Sequence, residues 1–509
     1  MRRQYLYIIF ILSTGIWGCM VDPPPPDTGG TLVYKQALAF FEALDTHVSR
    51  EKKKNAIGSR VQGFPYLRTN RFLTRVKRHL ETAEQKETWV RHLAEYSIAA
   101  RRSEIETLSR AAVESMGRLS GPAGENPRQE LLGRLRHYAM HMLTVDRNAP
   151  GFYDRLIPAV KSPDDYSTAM RVLGLYPLAY GPILFFTKKA YARMEVQHGK
   201  DPGQLGVAGS LVRFEPAPAP ARDIAFIRAI FFGAGTDSLG VYQFSDEELK
   251  QIAMYFAPVY IQDTAGGKDR PGAVIWDRGR VTVNPDAPAV YYYFSYALSG
   301  RKPMLQINYV IWYPERQGPD VPWYEEGDLD GFNYRVTLSA EGRPVMVDII
   351  HNCGCYHFFV PDKRLVRSLK PMATETGNQV PAWMPEEFPG QRIALRVSSG
   401  WHQIENIGTE EEVPSAVIYD LIPYRVLESL PAGPDARESI FDEDGIVKGS
   451  ERLEPYFLFP AGIPEVGAMR QRTRQPSRLI GREHFDNPLI LENHFDFIDL
   501  DTGRTKPRE

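Results

Sequence analysis

Apolar side chains recur at spacings of three and four along the first part of the chain. Leu38, Phe41, Leu44 and Val48 form one run, Phe72, Val76 and Leu80 a second, and Ile98, Ile105 and Leu108 a third. That period predicts packed amphipathic helices across residues 32–215, with breaks at 120–127 and near Pro150 dividing them into a bundle. Leu173 to Phe186 is apolar but carries Pro177 and Pro182, which predicts a buried, kinked segment rather than a membrane span. The basic runs Arg50 to Lys54 and Arg71, Arg75, Lys77, Arg78 are expected on solvated helix faces. Alternating proline and alanine from Pro216 to Ala221 cannot continue a helix or a central strand. This marks 216–256 as a linker with one connecting helix, opened by the capping pair Ser245 and Glu248.

After Ala257 the period shortens. Residues 258–261, 281–283, 290–294, 305–313, 334–338 and 344–350 are rich in β-branched and aromatic side chains, and turn residues such as Ala340 to Arg343 separate them. The expected fold is α+β: an N-terminal helical bundle followed by an antiparallel β-sandwich-like domain over 257–430. Residues 431–509, proline-rich and without long periodic runs, are expected to form an irregular extension that wraps over the rest.

The first nineteen residues read differently. Arg2 and Arg3 precede about a dozen mostly apolar residues and then Gly18-Cys19, the arrangement of a secretory signal over 1–18 that is too short to span a bilayer. Ile16-Trp17-Gly18-Cys19 resembles the bacterial lipobox, which implies acylation of Cys19, palmitate being the typical chain, and attachment to a membrane. Met20, where aspartate would favour inner-membrane retention, points to the outer membrane and a periplasm-facing body. Residues 19–31 contain four consecutive prolines and form a lipidated, semi-rigid spacer. The chain has 61 basic and 63 acidic side chains, a formal charge of −2, and loss of the leader removes only Arg2 and Arg3. That balance gives no general attraction for nucleic acid. The partners expected are the membrane, through the N-terminal lipid, and an envelope protein.

Four short segments, APVYIQD (257–263), INYVIWYP (307–314), GDLDG (327–331) and SSGWH (398–402), resemble in that order the β-sandwich family related to vacuolar protein-sorting and necrosis-inducing proteins. Asp328-Leu329-Asp330 stands where that family carries aspartate-tryptophan-glutamate. The resemblance implies a sandwich and assigns no catalytic residue.

The stretch with most chemical potential is His351-Asn-Cys353-Gly-Cys355-Tyr-His357. Apart from Cys19 it holds all the cysteines in the chain. On a strand, period two would put all four side chains on one face. Three readings stand open. Cys353 and Cys355 could form a tight disulfide or redox pair if Gly354 supplies a bend, since Cα atoms two apart on a strand are roughly 6.6 Å apart. Thiolate and imidazole could bind zinc or copper through some of His351, Cys353, Cys355 and His357 with His402, Asp328 or Asp330 as further donors. Or the group is structural, small buried thiols and hydrogen-bonded histidines.

His484-Phe-Asp486 and His494-Phe-Asp496 form a small repeat that could hold a cation. His137 and His141, a helical turn apart, are read as helix-surface residues, and Asp328/Asp330 and Asp499/Asp501 as loop-capping carboxylates. The chain has no G-x-S-x-G, phosphate-loop, dinucleotide or haem-attachment motif, which argues against the commonest hydrolase, nucleotide and cytochrome functions. A binding or envelope-assembly protein is the leading expectation. A metal- or thiol-dependent enzyme centred on the Cys-His cluster is the alternative.

Overall fold

The computed structural model describes residues 32–118, 126–218, 223–409, 413 and 415–498. The leader, Cys19, the spacer and the Asp499/Asp501 pair lie outside the described residues, as do much of the 120–127 break and the second half of the alanine-proline run.

The chain is α+β, with helices preceding a large mixed, curled sheet. Helices Leu32–Glu51, Ala83–Thr107, Arg110–Arg118, Pro127–Asp146 and Phe152–Ala159 bury Phe41, Leu44, Trp89, Leu93, Leu135 and Met142 against one another. Thr82 and Gln85 cap the longest of them reciprocally. A hairpin the helical period did not announce, Ser59–Val61 with Phe64–Thr69, is laid into this bundle. It carries Arg68, paired to Glu104 in the interior. Arg71 departs from its expected solvated face. It is buried and paired to Asp165 (3.0 Å) and Asp486 (2.8 Å), which clips the bundle to the C-terminal extension.

The sheet has ten strands: β1 (Ser210–Pro216), β2 (Val259–Thr264), β3 (Ala289–Ser299), β4 (Lys302–Arg316), β5 (Gly327–Leu338), β6 (Pro344–His351), β7 (Phe358–Pro361), β8 (Ala394–Val397), β9 (Ile404–Gly408) and β10 (Ala416–Pro423). Their spatial order is β7-β6-β5-β4-β3-β10-β1-β2-β8-β9. β10 runs parallel to both β1 and β3, and β8 parallel to β2; the other pairings are antiparallel. The sheet therefore takes a strand from before the proline run. Pro216 is tolerated because it ends that strand and removes no interior ladder bond.

Helices Ile224–Gly233 and Asp246–Phe256, the second opened by the Ser245–Glu248 capping box, cover one face. Ile227, Ile252 and Phe256 meet Tyr260, Tyr309, Ile311, Phe332 and Tyr334 there. Tyr309 Oη donates to the Ala253 carbonyl and Tyr419 Oη to the Pro258 carbonyl, both at 2.7 Å, which offsets the burial of those phenols, whereas the Tyr260 and Tyr334 hydroxyls are buried without a hydrogen-bond partner among the described residues. The other face holds a buried polar layer. Asn333 Nδ2 donates to Tyr293 Oη (3.1 Å) and to Asn308 Oδ1 (3.3 Å), and Gln306 Nε2 to Thr337 Oγ1 (3.1 Å). Arg335 and Asp348 belong to the same layer, and residues of the C-terminal extension, Phe485 among them, close over it.

The segment expected to be buried and kinked is instead on the outside. Helices Thr168–Leu173 and Tyr176–His198 form a corner at Gly174 and Leu175. Pro177 falls in the first turn, where its missing N–H costs nothing, so helix continues through it. The longer helix buries Ile183, Tyr191, Met194 and His198, all but the first in its second half. Leu173 is 75% exposed, Leu178 75%, Phe185 63% and Phe186 66%. Hydropathy gave the apolar character correctly but could not say that no other element among the described residues lies over it. Among the described residues no helix is long and apolar enough to cross a membrane.

Candidate functional site

The four segments 257–263, 307–314, 327–331 and 398–402 come from strands β2, β4 and β5 and the turn before β9, and they meet around His402. Tyr313 donates its hydroxyl to Gln262 Oε1 at 2.7 Å, and its ring lies flat on the His402 imidazole, 3.9 Å between centroids and 4° between planes. His402 is fully buried and has a left-handed backbone, φ 50°, which the Gly400–Trp401 turn imposes. Its Nδ1 is 2.7 Å from Asp330 Oδ2 and its Nε2 3.4 Å from Asp269 Oδ1. Asp269 is fixed by the Gly400 and Ala265 amides (2.7 and 2.8 Å) and by Ser399 Oγ (2.9 Å).

Asp330 also receives the Arg316 guanidinium, Nε to Oδ2 at 3.0 Å and Nη2 to Oδ1 at 2.7 Å. Arg316 continues outward to Glu325 Oε2 (3.0 Å) and to His351 Nδ1 (2.7 Å). Glu325 takes two further donors, Tyr356 Oη at 2.9 Å and Trp401 Nε1 at 3.0 Å. The result is a buried chain of alternating charge, Asp269–His402–Asp330–Arg316–Glu325, with His351 at its side.

The electrostatics follow from that order. Burial alone would drive His402 toward its neutral form, but the two carboxylates outweigh it and its pKa rises. Burial opposes ionisation of Asp330 too, and Arg316 with His402 override it, holding the carboxyl far below the ordinary range. His351 goes the other way. Burial and the adjacent Arg316 push it down to about 3, so it is neutral, and because Arg316 donates to Nδ1 the ring proton sits on Nε2.

The Cys-His stretch does not keep strand geometry. β6 ends at His351, and residues 352–356 turn back, with the Gly354 N–H on the His351 carbonyl (2.8 Å) and the His351 N–H on the Cys355 carbonyl (3.0 Å). Gly354 has φ 97°, and a Cβ there would stand 2.3 Å from the Pro476 carbonyl oxygen, so the position requires glycine. The expectation of four side chains on one face is thereby corrected. His351 is on Arg316, whereas His357 Nε2 is 2.8 Å from Asp348 Oδ2. Asp348 and His351 are three residues apart on one strand and so lie on opposite faces.

Cys353 and Cys355 are free thiols rather than a disulfide. Among the described residues no three His, Cys, Asp or Glu side chains converge as a metal site, so the zinc or copper reading finds no ligand set. Asp328 pairs with Arg280 at the surface (2.8 Å) and takes no part. His484 is held by Asp165 (3.3 Å), His494 by Glu483 (2.7 Å), and Asp486 and Asp496 by Arg71 and Arg367. These groups clamp the C-terminal extension. His137 and His141 stack on each other along one helix.

The thiols retain some chemistry. The Cys355 amide donates to Cys353 Sγ at 3.4 Å. The Cys355 thiol lowers the Cys353 pKa, aided by Arg316, while Cys353 and burial push Cys355 up. Beside them Glu454, with its Oε2 against Gly467, is pushed up to about 8 by burial and by the negative character of Cys353 and Glu325. Because its folded pKa exceeds the unfolded one, the folded state holds an extra proton between about pH 4.5 and 8, and stability falls as pH rises through that window. Glu454→Gln is expected to remove this fall, raising stability near pH 8 by on the order of 2–3 kcal/mol relative to its effect near pH 5. Urea titrations at the two pH values measure it, and an unchanged pH slope would exclude the carboxyl as its source.

Sequence reasoning named His351, His402 and Asp330 as possible neighbours but missed Arg316, Glu325, Asp269 and Tyr313. Arg316 sits in a Pro-Glu-Arg-Gln run that reads as a solvated turn, and Asp269 in Lys-Asp-Arg. Neither carries a local sign of burial. Compared with family models, curated proteins and solved structures, the chain matches none.

Proposed function

We propose that the chain is a lipoprotein of the bacterial outer membrane, facing the periplasm, that works by binding within the envelope rather than by catalysis. The observation that carries this reading is the broad apolar surface around Leu173, Leu178, Phe185 and Phe186, exposed on a body whose chemically distinctive groups are sealed inside. His402 and Asp330 are fully buried and Arg316 nearly so, and their polar atoms are held within the group and by Glu325, except His402 Nε2, which stands 3.4 Å from Asp269 Oδ1 without a hydrogen bond among the described residues; this is the pattern of a charge network that fixes the junction of β2, β4, β5 and the β8–β9 turn. Exposed apolar patches of this kind on a folded protein mark docking surfaces. The leader, Cys19 and the proline-rich spacer supply the tether.

Palmitate labelling and membrane fractionation of cells making the wild type and Cys19→Ser test the anchoring. The wild type is expected to carry label and to sediment firmly with the outer membrane, and the variant to lose the label and the firm attachment. Label retained by the variant, or an unlabelled wild type, rejects the lipoprotein reading.

One observation favours thiol chemistry as a second reading: the lowered Cys353 pKa beside Glu454, which at neutral pH is mainly protonated and could serve as a proton donor. Alkylation of folded protein by iodoacetamide decides it. Selective modification at Cys353, lost in Cys353→Ser, supports a reactive thiol, and alkylation only after denaturation returns the pair to a packing role.

A further inference from the structure

We propose that the helical corner Thr168–Leu173/Tyr176–His198 inserts its apolar side into the interfacial layer of a phospholipid bilayer, giving the body a second membrane contact besides its tether. This deepens the binding reading above by naming the partner, and it rests on that reading for which membrane is met.

Five features point to lipid. Between Arg171 and Lys188 the chain has no charged side chain. The first half of the longer helix is apolar toward both the protein, through Ile183, and solvent, through Leu178, Phe185 and Phe186. A helix apolar on both sides is ordinarily buried in protein or in lipid, and here nothing among the described residues covers the outer side. The stretch 176–187 is roughly 18 Å of helix, well short of the roughly 30 Å hydrocarbon core, which suits shallow insertion and not a span. Lys188 and Lys189 follow at once and are exposed, placed to reach lipid phosphates from the edge of the inserted segment.

The fifth feature comes from distant sequence. Gly174, at the corner, packs so closely on Phe459 and Pro460 that a Cβ would stand 2.7 Å from the Pro460 Cα. Arg171 Nε holds the Ala461 carbonyl at 2.8 Å. The same loop carries Tyr456 and Phe457, 73% and 55% exposed, and Phe457 packs on Trp323, itself 62% exposed, at 5.6 Å. An exposed tryptophan and tyrosine beside an apolar helix form the aromatic rim typical of membrane interfaces. The corner is thus fixed rigidly to the body, and its apolar side chains point outward from a firm base.

The test uses the full chain. A benzophenone amino acid replacing Phe185 is photoactivated in cells. The expected product is a phospholipid adduct on the peptide carrying residue 185, absent when the probe replaces the exposed Ile275 of the 273–284 hairpin. A discrete adduct with another protein or with a second copy of this chain overturns the proposal in favour of a protein partner, and no adduct overturns it as well.

In a second arm, the full chain bearing Cys19→Ser is mixed with vesicles of phosphatidylethanolamine and phosphatidylglycerol. Phe185→Ser with Phe186→Ser is expected to weaken binding by at least about tenfold per side chain. Lys188→Gln with Lys189→Gln is expected to weaken it by about fivefold per charge. Thermal melting should be unchanged, since these side chains are exposed. Vesicle binding that ignores both pairs of substitutions overturns the proposal. Palmitate labelling is read independently, so a failed tether and a failed surface contact are told apart.

Discussion

Asp330→Ala is expected to remove about 3–5 kcal/mol of folding stability, read as the fall in urea midpoint at constant slope. Asp330 is where two buried cations meet: Arg316 through two hydrogen bonds and His402 through one. Without the carboxylate, Arg316 keeps its charge and retains Glu325 as its one anionic partner, while His402 loses the nearer of its two anions. The pH dependence carries the same signature. The folded pKa of Asp330 lies below its unfolded value, so its contribution is present above about pH 4 and is lost as pH falls toward the folded pKa. His402 has the opposite sign. Its pKa is raised on folding, so its share is complete below about pH 6.5 and is lost as pH climbs through the folded value. His351, held down to about 3, costs stability progressively as pH drops below about 6.5, because only the unfolded chain takes up its proton. The wild type should therefore be most stable between these limits, and Asp330→Ala should flatten both limbs. A loss below about 1 kcal/mol would mean that the network is hydrated in solution and that its charges are separately satisfied.

The α+β order was legible because it rests on local periods. Leu38, Phe41, Leu44 and Val48 occupy one helical face whatever lies opposite, and the Ser245–Glu248 box is complete within four residues. The candidate site was legible only where a residue type is conspicuous. Histidine and cysteine are scarce enough to draw attention, so His351, His402 and the thiols stood out, and Asp330 with them. Arg316 and Asp269 did not, because a buried arginine and a buried aspartate look in sequence like surface ones. Their burial follows from long-range pairing, β4 against β5 and the loop after β2 against the turn before β9. The error at His357 has a definite source. Period two was extended past His351, but the ladder stops there, since Gly354 and Tyr356 take positive φ and send His357 to the opposite face. The corner at 174 was misplaced for a related reason. Hydrophobicity records an aversion to water and is silent on whether protein or lipid relieves it.

Arg335→Met is expected to be as damaging, about 3–5 kcal/mol, and in addition to act at a distance. Arg335 lies directly opposite Asp348 across β5 and β6. It binds that carboxylate through Nε at 2.9 Å and Nη2 at 2.5 Å, gives Nη1 to the Phe485 carbonyl at 2.7 Å, and stacks 3.6 Å from the centre of the Phe485 ring. Phe485 in turn packs on His357, 5.3 Å between centroids, and His357 completes the circle on Asp348. One side chain thus neutralises a buried acid and pins the C-terminal extension to the sheet. With methionine in its place the volume is roughly kept, but Asp348 is left with His357 alone, whose pKa burial holds down. Hydrogen exchange should then show amides of residues 475–494 losing protection before those of β3 and β4, because the extension loses its anchor while the ladder stays intact. Adding Asp348→Leu to Arg335→Met should recover part of the lost stability by removing the unpaired charge but leave the extension loose, since the bond to the Phe485 carbonyl is not restored. Equal loss of protection in the extension and in the central strands of the sheet would show that Arg335 serves the sheet alone and that the wrap is held by Arg71 and the Glu483–His494 pair.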